Sequence, residues 1–169
     1  MYVETNKITN LVSIDFDFGK SIVVELDEKT APITVANFKD LVKNGFYNGL
    51  IFHRVIQGFM IQGGDPTGTG MGGSKNTIKG EFLQNGVKNT LSHKRGVISM
   101  ARSQFFNSAS SQFFICHADA TFLDGAYASF GKVVKGIETV DYIASQQTNR
   151  MDKPLKDIVM KKVYFVEEK

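Results

Sequence analysis

The amino-acid sequence predicts a mainly β fold, in which a closed antiparallel barrel carries α-helices over its open ends. Three observations support this prediction. Short runs of β-type residues recur along the chain, only two segments have helical periodicity, and 14 Phe and 16 Gly accompany 3 Pro and no Trp. Aromatic residues favour strands, and glycines favour tight turns. Because strands and helices do not alternate one to one, an antiparallel barrel is favoured over parallel βαβ units.

The first predicted element is a β-hairpin. Apolar residues occupy every second position from 12 to 18 and alternate with polar ones, which is the pattern of a half-buried strand. Gly19 and Lys20 then turn the chain into a second apolar run, from 22 to 26. A glycine-containing turn between two such runs indicates a pair of antiparallel strands.

Two α-helices are predicted. The first begins at Pro32, continues with apolar residues at 35, 38, 41 and 42, and ends at Asn44-Gly45, because proline suits a first helical turn and glycine a helix end. The second runs from Ile137 to Ala144, where apolar residues recur at 137, 140 and 143 over a polar opposite face. These are the helices expected over the ends of the barrel.

The rest of the chain predicts six further strands and no domain boundary. No repeat or linker interrupts the sequence, so residues 1–169 form one predicted domain, long enough to bury a substantial core. The glycine-rich stretch 63–73 is too short for a linker and is interpreted as an ordered loop. The six strands are expected at 52–56, 59–62, 97–101, 112–116, 129–134 and 158–166.

Charge, cysteine content and hydropathy exclude several classes of function. The formal net charge is +3, with Lys and Arg scattered along the chain, so no nucleic-acid partner is expected. Cys116 is the only cysteine, which rules out an internal disulfide and a cysteine-based zinc site and favours a reducing, cytoplasmic location. No apolar run approaches the roughly 18 residues of a membrane span, and no signal-peptide core is present.

No metal and no cofactor are expected. His93 and His117 have no paired histidine or carboxylate at metal-ligand spacing. Strand alternation turns His53 away from the face of its neighbour Arg54, so His53 is interpreted as structural. Cys116 lies in an apolar β-type run and is interpreted as a buried, inert thiol. The glycine-rich loop lacks the Gly-Lys-Ser/Thr ending of a phosphate-binding loop, so a turn-forming role is favoured over nucleotide binding.

Four separated motifs, in order, carry a resemblance to a known family. They are FHRVIQGFMIQGGD (52–65), GVISMAR (96–102), SQFFI (111–115), and FLDG (122–125) running into FGKV (130–133). Together they closely resemble the cyclophilins, in a short, single-domain, prokaryotic-like form, and the resemblance covers nearly the whole chain. It implies a closed barrel of about eight antiparallel strands capped by two helices. It also implies a peptidyl-prolyl cis/trans isomerase (rotamase) that assists folding by acting on proline-containing peptides and unfolded proteins.

The resemblance also implies a site, which is carried over residue by residue. The catalytic arginine falls on Arg54, with Gln62 and Phe59 beside it as further catalytic groups. The remaining substrate-binding positions include a pocket floor, a glutamine, a backbone segment and two rim positions: Met60, Phe114, Leu123, Gln112, Ala101, Arg102, Phe122 and Tyr127.

Two of these positions differ from the best-known eukaryotic pattern. Phe122 stands where tryptophan is typical of the family, and Tyr127 stands where histidine is typical. A phenylalanine lacks the indole N–H donor. Cyclosporin is therefore an expected ligand whose binding Phe122 weakens, while catalysis is expected to persist.

The chemistry explains why these residue types suit the reaction. Amide resonance sets a rotation barrier of about 18–20 kcal/mol, and a catalyst must favour the twisted amide over the planar one. As the bond twists, the proline nitrogen regains a lone pair, which the permanently protonated guanidinium of Arg54 can meet with a hydrogen bond. Phe59 and Met60 are adjacent, so presenting both to the substrate requires an irregularity near Gln57-Gly58.

Two other functions compete with the leading one. A non-catalytic prolyl-peptide receptor would keep the apolar pocket without needing Arg54, so the arginine favours the enzyme. A nucleotide-binding protein has only the glycine loop to support it. The chain has no zipper-like segment, and a monomer is expected.

Overall fold

The computed structural model describes all 169 residues and contains nine β-strands and two α-helices. The helices, α1 (Pro32–Lys43) and α2 (Ile137–Ala144), lie where the periodicity predicts them. Every predicted strand is present, with ends that differ by at most two residues. The strands are β1 (Tyr2–Glu4), β2 (Leu11–Phe16), β3 (Ser21–Leu26), β4 (Arg54–Ile56), β5 (Met60–Gly63), β6 (Val97–Met100), β7 (Phe113–Cys116), β8 (Ser129–Lys135) and β9 (Met160–Glu168).

β1 is the strand that the sequence does not predict. It has only three residues, and its burial does not alternate. It forms because Tyr2–Glu4 pairs with the far end of β9, from Val166 to Glu168. A strand this short is stabilised by its partner and carries no pattern of its own.

The nine strands form one antiparallel sheet in the order β1-β9-β2-β3-β8-β6-β7-β5-β4. The mainly β fold with two helices is therefore confirmed, but the closed barrel of eight strands is not. β4 and β1 are the two edges of the sheet, and no ladder joins them. Before β4, an isolated bridge between Ile51 and Val159 and a few backbone hydrogen bonds, such as Phe52 N–H to the Ile158 carbonyl at 3.0 Å, join the chain to the start of β9. Within β4 itself, Val55 donates its N–H to the Asp152 carbonyl at 2.7 Å, so the strand forms no ladder with β9.

The first helix is completed by a residue far away in the sequence. Its N-cap residue, Ala31, has no side chain able to cap. The buried carboxylate of Glu81 instead accepts the backbone N–H groups of Ile33 and Thr34, at 3.2 and 2.6 Å, and the Thr34 hydroxyl at 2.7 Å. A negative charge at a helix N-terminus is favourable because the free N–H groups there carry partial positive charge. Glu81 thus fixes α1 against the body of the protein.

The core lies between the sheet and the helices, and β7 separates it from the outer face. Phe113 on β7 is 1% exposed and packs edge-on against the rings of Phe38, Tyr47 and Phe52. Its neighbour Phe114 points the other way, as alternation along a strand requires, and belongs to a separate small cluster. This outer cluster is the floor of the cleft described next.

Candidate active site

A cleft of about 160 Å³ lies on the outer face of β4, β5 and β7. Its walls come from these strands, from the segment after β6, and from the region of a 3-10 turn at Thr121–Leu123. Nine of the eleven site residues named from the sequence line it: Arg54, Phe59, Met60, Gln62, Ala101, Arg102, Phe114, Leu123 and Tyr127.

The floor of the cleft is apolar and rigidly packed. Met60 and Phe114 are 2% and 4% exposed and cluster with Cys116 and Ala120, while Phe59, Leu123 and Tyr127 are partly buried around them. The Phe114 ring meets the Tyr127 ring edge-on at 5.9 Å. Such edge-to-face pairs are favourable and directional, so the floor has a defined shape.

The turn between β4 and β5 allows two adjacent residues to face the cleft. Ile56 pairs with Met60, which leaves residues 57–59 as the loop of a hairpin. Gly58 has φ of +80°, a conformation that side-chain-bearing residues rarely adopt, and Phe59 donates its N–H to the Ile56 carbonyl at 3.0 Å. Phe59 therefore lies in the turn, outside the alternation that governs Met60. The irregularity expected near Gln57-Gly58 is confirmed as this turn.

A chain of amide hydrogen bonds positions Arg54. Gln112 Nε2 donates to the carbonyls of Gly70 and Gly72, at 3.0 and 2.8 Å. Its Oε1 accepts from Gln62 Nε2 at 2.9 Å, and Gln62 Oε1 accepts a long 3.5 Å contact from Arg54 Nη1. Because carbonyls only accept, the direction of every bond in the chain is determined. The last acceptor of the chain therefore points at the guanidinium.

Arg54 is the arginine of the cleft with unused donors. The guanidinium of Arg102 is held by four bonds to the carbonyls of Ala126, Ser103 and Gln104. Arg54 is exposed, forms no ion pair, and makes only the contact to Gln62. Most of its N–H groups are therefore free to bind a ligand in the cleft.

The glycine-rich loop that anchors this series of hydrogen bonds is itself held by the buried carboxylate of Asp65. Asp65 accepts the N–H groups of Thr67, Gly70 and Gly72, at 2.8, 2.7 and 3.0 Å. Burial alone would raise the pKa of Asp65, but the hydrogen bonds from these N–H groups and from the Thr67 hydroxyl lower it to about 2. The glycine-rich loop is thus ordered around a carboxylate, as the sequence predicts for an ordered loop.

Replacing Asp65 with asparagine is expected to lower the free energy of unfolding at pH 7 by about 1–3 kcal/mol, because asparagine keeps only one side-chain oxygen and its NH2 group would face N–H donors that Asp65 now accepts. The folded-state pKa of about 2 lies below the ordinary 3.8. The carboxylate's stabilisation is therefore complete above about pH 5 and is lost as the pH falls through 4 towards 2. Urea unfolding of both proteins at pH 7 and pH 2.5 measures this difference, which should shrink in acid. An equal difference at both pH values would contradict the role of Asp65.

The structure places two of the eleven residues outside the cleft. Gln112 lines an adjoining polar groove of about 370 Å³, which shares Gln62, Ala101 and Arg102 with the cleft. Phe122 is 74% exposed on the rim, where its ring lies 5.6 Å from that of Phe59. The two depressions and the rim form one continuous surface.

The segment after β6 offers an unpaired backbone edge beside the cleft. Ala101 donates its N–H to the Gln112 carbonyl at 3.0 Å, whereas the Arg102 N–H makes no hydrogen bond within the protein. An unpaired N–H next to a strand end is a site where an extended peptide can add.

The spacing of residues in the sequence does not reveal two histidine–carboxylate pairs, His93–Asp124 and His117–Asp141. His93 Nδ1 lies 2.8 Å from Asp124 Oδ1, and Nε2 lies 2.8 Å from Ser99 Oγ. The buried His93 ring stacks on Phe114 at 6.0 Å, behind the floor of the cleft. Burial lowers the pKa of His93, and Asp124 opposes this shift. His93 and Asp124 are 31 residues apart in the sequence, a separation that no local pattern indicates.

Two further titratable groups near the cleft, His53 and Cys116, are buried. His53 is 7% exposed, and burial lowers its pKa, in agreement with its interpretation as structural. Cys116 is fully buried, and burial raises its pKa to about 12, so the thiol is inert as expected. No three His, Cys, Asp or Glu side chains are grouped so as to hold a metal ion. Neither helix has the length and apolarity needed to cross a lipid bilayer.

Comparison with known proteins agrees with this geometry. The family model described as "Cyclophilin type peptidyl-prolyl cis-trans isomerase/CLD" matches residues 11–165. The chain is 41% identical over 157 residues to peptidyl-prolyl cis-trans isomerase-like 1 of Emericella nidulans, covering 92% of this chain and 94% of that protein. It is 43% identical over 157 residues to peptidyl-prolyl cis-trans isomerase A of Dickeya dadantii, covering 88% and 80%.

A solved structure shares the fold. It is a cyclophilin-type peptidyl-prolyl cis-trans isomerase of Cryptosporidium parvum, crystallised in the presence of the dipeptide Ala-Pro. The two chains superpose with a TM-score of 0.86 and 34% identity, covering 94% of this chain and 99% of the other.

Proposed function

The chain belongs to the family of cyclophilin-type peptidyl-prolyl cis-trans isomerases, and on that premise we propose that the cleft beside Arg54 is where it isomerises X-Pro bonds. The observation that carries this proposal is the unpaired guanidinium of Arg54 at the edge of an apolar floor. The substrates are proline-containing peptides and unfolded or flexible protein chains. The crystal structure of the Cryptosporidium parvum relative, obtained in the presence of Ala-Pro, supports this substrate class.

The apolar floor holds the proline ring while the preceding bond rotates. The ring carries no polar group beyond its backbone, so Phe59, Met60 and Phe114 can hold it by apolar contact alone. Their positions are fixed by the hairpin turn and by the packing of Phe114 on His93 and Tyr127. A rigid floor keeps the ring still, so that rotation is confined to the acyl side of the bond.

Arg54 favours the twisted state over the planar states. In a planar amide the nitrogen lone pair is delocalised and accepts hydrogen bonds poorly. As the bond twists, the lone pair localises on the proline nitrogen, and a free N–H of Arg54 donates to it. An interaction present only in the twisted state lowers the rotation barrier without strengthening the binding of the planar cis and trans states. No proton is transferred and no covalent bond breaks.

Gln62, Gln112 and the backbone at Ala101-Arg102 orient the rest of the peptide. The unpaired Arg102 N–H pairs with a carbonyl of the extended substrate, which therefore lies along the end of β6. The amide chain from Gly70 to Arg54 keeps the guanidinium aligned with this peptide. Binding energy away from the proline is thereby used to hold the reacting bond in place.

An isomerase assay tests the proposal. The purified protein is expected to accelerate cis/trans exchange of a short X-Pro peptide, measured by NMR exchange spectroscopy at catalytic protein concentrations. A fluorescent label that reports binding of the same peptide provides the control. Binding without acceleration would favour the non-catalytic prolyl-peptide receptor instead.

We further propose that cyclosporin binds this surface weakly because of Phe122. The Phe122 ring stands on the exposed rim beside Phe59 and has no hydrogen-bond donor. Replacing Phe122 with tryptophan supplies an indole N–H at the rim and is expected to tighten cyclosporin binding by about tenfold, the value of one good hydrogen bond. Calorimetric titration of both proteins measures this. Phe122→Leu is the matched control, and equal affinity of the tryptophan variant and the wild type would contradict the proposal.

A further inference from the structure

His117 holds the turn between β4 and β5 by two hydrogen bonds. Its Nδ1 accepts the N–H of Gly58 at 2.8 Å, and its own backbone N–H donates to the Phe59 carbonyl at 2.9 Å. These two bonds restrain consecutive residues of the turn. The first of them depends on the histidine side chain, whereas the second would survive a change of residue type.

The His117 ring is held in one orientation by a carboxylate on α2. Nε2 lies 3.0 Å from Asp141 Oδ1. Arg95 secures that carboxylate with two bonds, of 2.6 and 2.8 Å, and also donates to the His117 carbonyl at 2.8 Å. A carboxylate only accepts, so Nε2 carries the proton and Nδ1 is left as the acceptor that the Gly58 N–H requires.

The turn matters because the hairpin carries much of the cleft. Arg54 on β4 pairs directly with Gln62 on β5, and Phe59 in the turn lines the cleft. β4 is a three-residue edge strand, so few other bonds restrain it. His117 itself does not line the cleft. An effect of its side chain on turnover would therefore be indirect, and the turn is the part of the cleft hairpin that this side chain bonds to.

We propose that His117 is a positioning residue for the isomerase cleft, with Asp141 selecting its tautomer and its Nδ1 fixing the Gly58-Phe59 turn. The proposal rests on the function assigned to the cleft above. In it, Phe59 keeps its place as a wall of the proline site, and Arg54 keeps its alignment at the other end of the hairpin. Displacing catalytic groups by about 1 Å can cost orders of magnitude in rate, so a loosened turn has a measurable consequence.

Three replacements of His117 separate positioning from general stability. Asparagine places an amide oxygen near the position of Nδ1 and preserves the acceptor for Gly58. Glutamine reaches towards Asp141 with its amide but offers no acceptor at that position, and alanine offers neither. We expect His117→Gln and His117→Ala to lower kcat/KM by about fivefold, and His117→Asn to remain within about twofold of wild type. Thermal unfolding curves ensure that all four proteins are folded at the assay temperature.

Hydrogen exchange of the Gly58 amide provides a readout that does not depend on turnover. Exchange should be slow in the wild type and in His117→Asn, and at least about tenfold faster in His117→Gln and His117→Ala. Equal exchange in all four proteins overturns the proposal, and so does an asparagine variant as impaired in turnover as the glutamine variant. A wild type that does not isomerise X-Pro peptides would refute the function of the cleft, and the exchange pattern would still decide whether His117 holds the turn.

Discussion

Replacing Arg54 with alanine is expected to lower kcat/KM for a short X-Pro peptide by at least about tenfold, equivalent to about 1.4 kcal/mol of transition-state stabilisation. The guanidinium is proposed to bond only to the twisted amide, so its removal should reduce kcat while peptide affinity changes little. The apolar floor, whose packing does not involve Arg54, is the proposed contact for the proline ring and remains in this variant. NMR exchange spectroscopy gives the rate, and titration with the same peptide gives the affinity.

Two further variants sharpen this prediction. Arg54→Lys keeps the charge but loses the planar, directional donors, and its rate should lie closer to that of the alanine variant than to wild type. Arg150→Ala removes a second exposed arginine that does not line the cleft, and it controls for the loss of one positive charge. If Arg54→Ala and Arg150→Ala were equally active, the proposed role of Arg54 would be wrong.

Replacing Phe114 with alanine is expected to have two effects, on stability and on catalysis. Truncating a buried phenylalanine typically costs about 3–5 kcal/mol of unfolding free energy, and Phe114 is 4% exposed against His93 and Tyr127. The same change removes part of the floor that is proposed to hold the proline ring, so KM should rise by about tenfold or more, as expected when most of a side-chain contact is lost. Urea unfolding and peptide kinetics measure the two effects.

Phe113 offers a matched control on the same strand. Like Phe114, Phe113 is a buried phenylalanine, with 1% of its surface exposed. It faces the main core, where it packs against Phe38, Tyr47 and Phe52. Phe113→Ala should destabilise the protein by a similar amount, about 3–5 kcal/mol, yet leave KM of the folded fraction near wild type. Assays at low temperature, together with the milder pair of leucine variants, allow the comparison if either alanine variant unfolds. A rise in KM for both positions alike would show that the KM effect is only a loss of stability.

The sequence determines the local elements of this protein. α2 runs from Ile137 to Ala144, as its periodicity predicts, and α1 begins at the predicted Pro32. The strands follow their apolar patterns to within two residues. This success has a physical cause, because a helix or strand is encoded by side-chain spacing within a few neighbouring residues. β1 is not predicted because three residues are too few to show an alternation of apolar and polar side chains.

The residues of the cleft are predictable for a different reason. Nothing local distinguishes Arg54 from a surface arginine or Phe114 from a core phenylalanine. The four motifs resemble one family in the correct order, and the structure brings nine of the eleven residues so identified to one cleft. Phe122 and Gln112 lie beside it, since alternation and turn geometry set where each side chain points.

Only the tertiary structure determines the contacts between residues that are far apart in the sequence. The sheet remains open between β4 and β1, and the cap of α1 comes from Glu81, 47 residues beyond Thr34. His117 meets Gly58 across 59 residues, and Gln62 meets Gln112 across 50. Such hydrogen bonds depend on how separate strands and loops are brought together in space. Residue spacing within a segment does not encode that arrangement. The sequence therefore identifies the residues of the site, and the fold alone sets their alignment.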